Sequence, residues 1–445
     1  FFKQKTAYEI RPRDWSSDVC SSDLTEVFLI GYWEDWVPYV FDAVKNSSVV
    51  IIDPWRKITE KIICLLLILF CEICIAHEGH NHGPSVATSV LFDKTGNLWR
   101  VKESQGFVVV DSSNDQGAHF SKPINVNLEM QKIGISGDAK PKIAIGPEGN
   151  IYVTWTQALS KPYTGYIWFS RSTDHGKTFE SPQIVHKDKS EITHRFDAIN
   201  VNSDGRIFIA WVDKRDLEKA KLKNNEKEYD GAAIYYAVSD NHGESFKPEK
   251  KIIDSSCECC RIALTNDASG NVIAMWRQLY DKSIRDHAVA KIDIKDNIIV
   301  NRATFGGWKI DACPHHGPAL SRGGDWGYHM AWFDGGEKAG LFYGRMDGDT
   351  WVSSPPKRFG NVNFQAGHPA LLSINEKVYL AWKEINELGN YIVLATSEDG
   401  GKNWLEAKIL KKSEGASDYP ELIQFNNKAF LSWNTMKDGY QLISL

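Results

Sequence analysis

The chain has no methionine before Met130, no block of basic residues and no uninterrupted apolar stretch of membrane-spanning length. The missing basic block, with a net charge of −5 at pH 7, argues against a nucleic-acid partner. The apolar run from Ile62 to Phe70 falls short of the roughly 20 residues that a spanning helix needs, and Glu72 prevents its extension. The missing early methionine implies that the chain as given does not begin at a natural start. What is present is enough for a large core: 445 residues, 42% hydrophobic, 24% charged and 12% aromatic, with 16 Trp.

One turn signature recurs. It reads Ser172-Thr173-Asp174-His175-Gly176-Lys177-Thr178-Phe179, Ser239-Asp240-Asn241-His242-Gly243-Glu244-Ser245-Phe246 and Ser397-Glu398-Asp399-Gly400-Gly401-Lys402-Asn403-Trp404. A degenerate copy, Ser113-Asn114-Asp115-Gln116-Gly117-Ala118-His119-Phe120, keeps Asp, Gly and Phe. A carboxylate and a hydroxyl accept turn N–H groups, Gly takes φ > 0, and the aromatic pins the hairpin to the core. The pattern resembles the Asp box of the sialidase-like (BNR-repeat) β-propellers, in which the box sits on a peripheral hairpin and marks the fold, not the catalyst.

A second repeat agrees. Segments that open with Pro and end a second strand in Trp recur at Trp99, Trp155, Trp211, Trp276, Trp332, Trp382 and Trp433, spaced 50 to 65 residues apart. Pro141-Lys142-Ile143-Ala144-Ile145 leading to Ile151-Tyr152-Val153-Thr154-Trp155 is a clear copy. Each period adds a third strand, the box and a fourth strand, which makes one four-stranded antiparallel blade that must stack on its neighbours to bury both faces. The expectation is an all-β, sialidase-like β-propeller of seven repeat units, with six blades as the alternative because catalytic sialidases have six.

Residues 1–24 resemble a translated sequencing-adapter read-through, and 1–55 as a whole reads as artefactual or upstream, non-native sequence. Residues 56–76 read as a signal peptide: a basic start at Arg56 and Lys57, the apolar run, and a small-residue cleavage site at Cys74-Ile75-Ala76. The propeller domain is then 77–445, secreted or periplasmic. Four cysteines remain in it, Cys257, Cys259, Cys260 and Cys313, and an oxidising compartment favours disulfides. Three pairings are open, with a Cys260–Cys313 staple between neighbouring blades preferred.

Residues just before each first strand should meet at one axial mouth: His82, Lys140, His194, Arg195, Asp197, Cys260, Arg261, His315, His316, His368 and Tyr419. The resemblance implies a catalytic kit of three Arg clamping a substrate carboxylate, a Tyr nucleophile activated by Glu, and an Asp acid/base. Arg195, Arg261, Arg285 and Arg345 can supply guanidiniums, Asp197 or Asp286 the acid/base, and Tyr343 or Tyr419 the phenol, while His316, His368 and Tyr419 line the ligand. Asn81-His82-Gly83-Pro84 stands where an Arg-Ile-Pro motif would precede the first unit. The implied function is exo-acting hydrolysis of terminal sialic-acid-type sugars, and the alternative is a non-catalytic propeller that binds a glycan or a metal. For the latter, His77, His80 and His82 with a free terminal amine suit Cu(II) or Zn(II), and Cys257-Glu258-Cys259-Cys260 and Cys313-Pro314-His315-His316 can add ligands if reduced. The partner is a glycan or small anion, and removing Arg261 is expected to weaken it with little loss of fold.

Overall fold

A computed structural model describes residues 86–445, except 136–137, 226–228, 282 and 311–313, together with two short paired strands, Val27–Leu29 and Val50–Ile52. Residues 56–76, expected to form a signal peptide, and His77, His80, His82 and Cys313 lie outside the described residues. Contacts divide the chain into two units, Phe1–Gly83 and Pro84–Leu445. Among the described residues no helix is long and apolar enough to cross a membrane.

The second unit is all-β, a succession of antiparallel meanders numbered here as sheets I to VII. Their first strands are Thr88–Phe92, Lys142–Ile145, His194–Val201, Ala263–Asn266, Ala319–Arg322, Gln365–Ile374 and Glu421–Phe425. Sheets III and IV are joined by one residue pair, Ser256 with Gln278, and sheet VII has three strands. Each first strand touches the first strand of the next sheet, and that of sheet VII touches that of sheet I.

The second strands are the most apolar because both of their faces are covered. Ile207–Asp213 (IFIAWVD) is buried throughout, whereas the outer strand Lys408–Ser413 (KILKKS) is mostly exposed. Core clusters form between sheets, as where Val101, Val108 and Val110 of sheet I meet Ile151, Val153 and Trp155 of sheet II. Trp155, Trp211, Trp276, Trp382 and Trp433 are essentially inaccessible, and each indole N–H is satisfied, in three cases by the side chain two residues on: Asp213, Gln278 and Glu384.

The four turn signatures share one construction. In the second, Ser172 Oγ donates to Asp174 Oδ1 at 2.8 Å and accepts from Gly176 N at 2.8 Å, while Asp174 accepts from Thr178 N at 3.0 Å. The degenerate copy is built the same way, through Ser113, Asp115, Gly117 and His119. In the third, Asn241 takes the place of the carboxylate. The glycine of each box sits where a Cβ would strike an aromatic of the preceding sheet: Gly176 on Trp99, Gly243 on Phe169, Gly401 on Tyr343 and, from sheet I back to sheet VII, Gly117 on Tyr440. The boxes therefore clip neighbouring sheets together. Asp174→Ala is expected to cost about 1–2 kcal/mol, the cost of a lost turn cap, in chemical denaturation, with ligand affinity per folded molecule unchanged.

Candidate functional site

The polypeptide enters its first strands through irregular backbone. The register shifts between Arg195 and Ala198 in sheet III and between Gly367 and Ala370 in sheet VI, with Phe196 at φ 57° and His368 at φ 53° inside the two bulges. Bulges re-aim side chains, and a left-handed backbone at a residue with a Cβ persists only where its surroundings hold it.

What holds it is a buried polar hub at the entry ends. Asp138, ahead of sheet II, accepts from Arg261 Nη1 at 2.9 Å and from Gly317 N at 2.9 Å, and His368 Nδ1 lies 3.6 Å from it. Arg261 also donates to the carbonyls of Pro318 and Pro369, so one guanidinium joins the entries of sheets II, IV, V and VI. A Cβ at position 317 would collide with the Arg261 side chain, and one at 367 would sit 2.5 Å from the His316 ring, so both glycines are required by close approach. His316 stacks on Phe333 with centroids 4.2 Å apart and lies 4.5 Å from His368, which stacks on Tyr419 at 3.5 Å. Burial, then repulsion from His316, lowers the His368 pKa to about 4. Lys140 pairs with Asp418 at 3.2 Å and Glu421 at 2.8 Å and donates to Thr88 O, which ties sheet II to sheets VII and I. Burial alone would lower the Lys140 pKa, and those two carboxylates raise it.

Two further lysines face this hub with no carboxylate within 4 Å among the described residues, although Asp197, Glu421 and Asp138 act on Lys142, and Asp418 on Lys383, from further away. Lys142 Nζ donates to Asp138 O at 3.2 Å and Lys383 Nζ to Ser417 O at 3.0 Å. Burial and the neighbouring Lys140 lower the Lys142 pKa to about 8, and burial lowers that of Lys383 to about 8. Lys383 also lies 5.5 Å from the Tyr419 ring centroid. Asp197 is held by Thr154 Oγ1 at 2.7 Å and Thr156 Oγ1 at 2.9 Å, and burial raises its pKa.

Of the residues expected at the mouth, Lys140, Arg261, His316, His368 and Tyr419 are therefore brought together. Arg195 is half-buried with its guanidinium 4.9 Å from the Phe196 ring and 5.6 Å from that of Tyr163. Arg285 turns to Cys257 Sγ at 3.2 Å and Ile310 O. Arg345 lies over Trp326, 4.0 Å from its centroid. Tyr343 is buried beneath the box of sheet VI, hydrogen-bonded to His329 Nδ1 at 2.6 Å and packed edge-on to Trp404, and burial raises its phenol pKa. Asp286 pairs with Arg302. Cys257, Cys259 and Cys260 are buried and no disulfide joins them to one another, and the Cys260–Cys313 staple involves a residue outside the described set.

Asp138, Lys142, Lys383 and Asp418 were not singled out from the sequence. One available signal was the residue after the recurrent Trp, which reaches the entry of the next sheet. Thr156 bonds Asp197, Arg277 donates to His316 O at 3.0 Å, Lys383 reaches Ser417 O, and Asn434 donates to Val86 O at 2.8 Å. Strand alternation predicts this, since the Trp fills one face and its neighbour points the other way.

No family model and no curated protein matches the chain. Among solved structures it is similar to an ulvan lyase of a polysaccharide lyase family, bound to -[GlcA(1-4)Rha3S]- (11% identity, 80% of this chain and 90% of that one, TM-score 0.50). It is also similar to a Hadza microbial sialidase (15% identity, 77% and 74%, TM-score 0.46) and to a Penicillium chrysogenum α-L-arabinanase complexed with arabinobiose (14%, 71% and 96%, TM-score 0.48). At these identities the likeness is one of fold.

Proposed function

We propose that the chain is a seven-bladed propeller of the sialidase-like type that binds an acidic glycan at its axial mouth without the sialidase hydrolytic step. Seven blades rest on the cyclic order of first-strand contacts and on the Gly117–Tyr440 clip between the terminal sheets. The observation that carries the ligand is the pair Lys142 and Lys383, two cations bonded to carbonyl oxygens beside an imidazole–phenol stack, with no carboxylate in ion-pair range among the described residues. A sugar carboxylate or sulfate would supply a paired anion for them, beside half-buried Tyr419 and its stacking partner His368. The ulvan lyase shows an acidic saccharide bound on such a fold.

The hydrolytic reading loses support because several of its parts are engaged by other groups: Arg261 by Asp138, Arg285 by Cys257, Arg345 by Trp326, and the Tyr343 phenol by His329. Binding is tested by titrating sialylated and uronate-containing oligosaccharides into the full chain. Lys142→Gln and Lys383→Gln are each expected to weaken binding about 10-fold or more, the scale of one charge-assisted hydrogen bond. Equal affinity for neutral and acidic sugars, or release of free sugar from a fluorogenic sialoside, contradicts the reading.

A further inference from the structure

Cys257, Cys259 and Cys260 lie in the crossover between the last strand of sheet III and the first strand of sheet IV. Their sulfurs are within 4.8 Å of one another, and Cys257 Sγ stands 3.7 Å from that of Cys259 and 3.6 Å from that of Cys260. All three are buried, at 2%, 5% and 2% exposure, in the apolar cluster that includes Ala139, Phe196 and Trp276. These separations exceed a disulfide bond of about 2.05 Å. They approach the sulfur–sulfur edge of roughly 4 Å that three metal–thiolate bonds of about 2.3 Å produce around one ion.

The surrounding charge decides between the states open to these sulfurs. Arg285 is itself buried, at 9% exposure, and its Nη1 donates to Cys257 Sγ at 3.2 Å. The guanidinium's other hydrogen bond among the described residues goes from Nε to Ile310 O, and no carboxylate there pairs with it. A buried guanidinium against a neutral thiol or disulfide would be an uncompensated charge, which is costly. Against a thiolate it is paired. Arg277 is 1% exposed and adjoins the same site: its carbonyl accepts from Cys257 N at 2.9 Å and its Nη1 donates to Arg285 O at 3.2 Å.

We propose that Cys257, Cys259 and Cys260 bind one monovalent soft ion, Cu(I), as a three-thiolate site charge-balanced by Arg277 and Arg285. Three thiolates and one Cu(I) carry two negative charges, which the two guanidiniums neutralise, and binding releases the thiol protons to solvent with no change of oxidation state. Counted over the described residues, a divalent ion would leave the site net positive. Soft thiolate donors in an apolar shell suit both Cu(I) and Zn(II), and the charge count favours Cu(I). The site adjoins the hub at the sheet entries, through Cys260 beside Arg261 and through Arg277, whose Nη2 donates to His316 O at 3.0 Å.

The test is anaerobic titration of the reduced full chain with Cu(I) against bathocuproine disulfonate, with copper X-ray absorption on the loaded protein. The parent is expected to retain one equivalent with a first shell of three sulfurs. Cys257→Ser and Cys260→Ser should each lower the affinity of that equivalent by more than about 100-fold, and Arg285→Gln by about 10-fold, the range for a group that supports a ligand. The sulfur shell is read on the parent, so a Ser variant that folds poorly does not decide the matter. Copper held by nitrogen alone, retention unchanged in both Ser variants, preferential retention of Zn(II), or a disulfide engaging any of the three cysteines, Cys260–Cys313 included, in protein isolated without reductant would each overturn the proposal.

Discussion

Arg261→Ala is expected to destabilise the fold by about 3–5 kcal/mol, read as a fall in the denaturant midpoint at unchanged slope. The Arg261 side chain is 22% exposed, but its partner Asp138 is 1% exposed, and removing the guanidinium leaves that carboxylate buried with the Gly317 N–H and the more distant His368 ring as its support. It also frees the carbonyls of Pro318 and Pro369, which belong to two other sheets. Arg261→Lys should recover only part of the loss, because one ammonium cannot span three acceptors on three sheets. The expectation from sequence was a ligand contact that could be removed with little loss of fold. The geometry makes Arg261 a tie between sheet entries instead, and a loss below about 1 kcal/mol would show that the hub is not one.

Acidification should cost several kcal/mol between pH 6.5 and 4, before most carboxylates titrate. Burial, then His194, lowers the His186 pKa to about 3; burial, then Arg345, lowers that of His329 to about 3; and His368 lies at about 4. His186 stacks face to face on His194 at 3.9 Å, and charging either ring would set it against the other. The folded state holds these imidazoles neutral, while the unfolded chain takes up protons near pH 6.5. Their contribution is therefore complete above that value and is lost as the pH falls towards 4 and 3, at about 1.4 kcal/mol for every tenfold difference in proton affinity between the two states. The lysines act at the other end. With Lys142 and Lys383 lowered to about 8, the unfolded state binds more protons between pH 8 and 10.5, and stability rises across that window. A melting temperature flat from pH 7 to 4 would contradict the first expectation.

Much of the fold was legible because its signals are local and repeated. The recurrent Trp marks a second strand covered on both faces, and the serine–aspartate–glycine turn reports a hairpin whose hydrogen bonds all lie within five residues, so even the degenerate copy at Ser113 could be read. The mouth was legible in part. Lys140, His368 and Tyr419 precede a proline that opens a strand, and that position repeats. Asp138 and Asp418 stand one or two places earlier, where the repeat is irregular, and Lys383 follows Trp382, where the strand was read to end although it runs on to Asn386. The engagements of Arg285 and Tyr343 were not legible, because Arg285 turns to a sulfur in the crossover between sheets and Tyr343 bonds His329 on the neighbouring strand beneath the following sheet's box.

Whether Lys142 and Lys383 await an anion at the mouth is tested most directly by calorimetric titration of an acidic oligosaccharide at pH 8.5 in buffers of different ionisation enthalpy. An anion beside these ammonium groups raises their pKa, so binding should take up protons from buffer, and the uptake should fall in Lys142→Gln and Lys383→Gln. Binding with no proton uptake, or uptake unchanged in both variants, would place the ligand elsewhere and contradict the assignment of the mouth as an anion site.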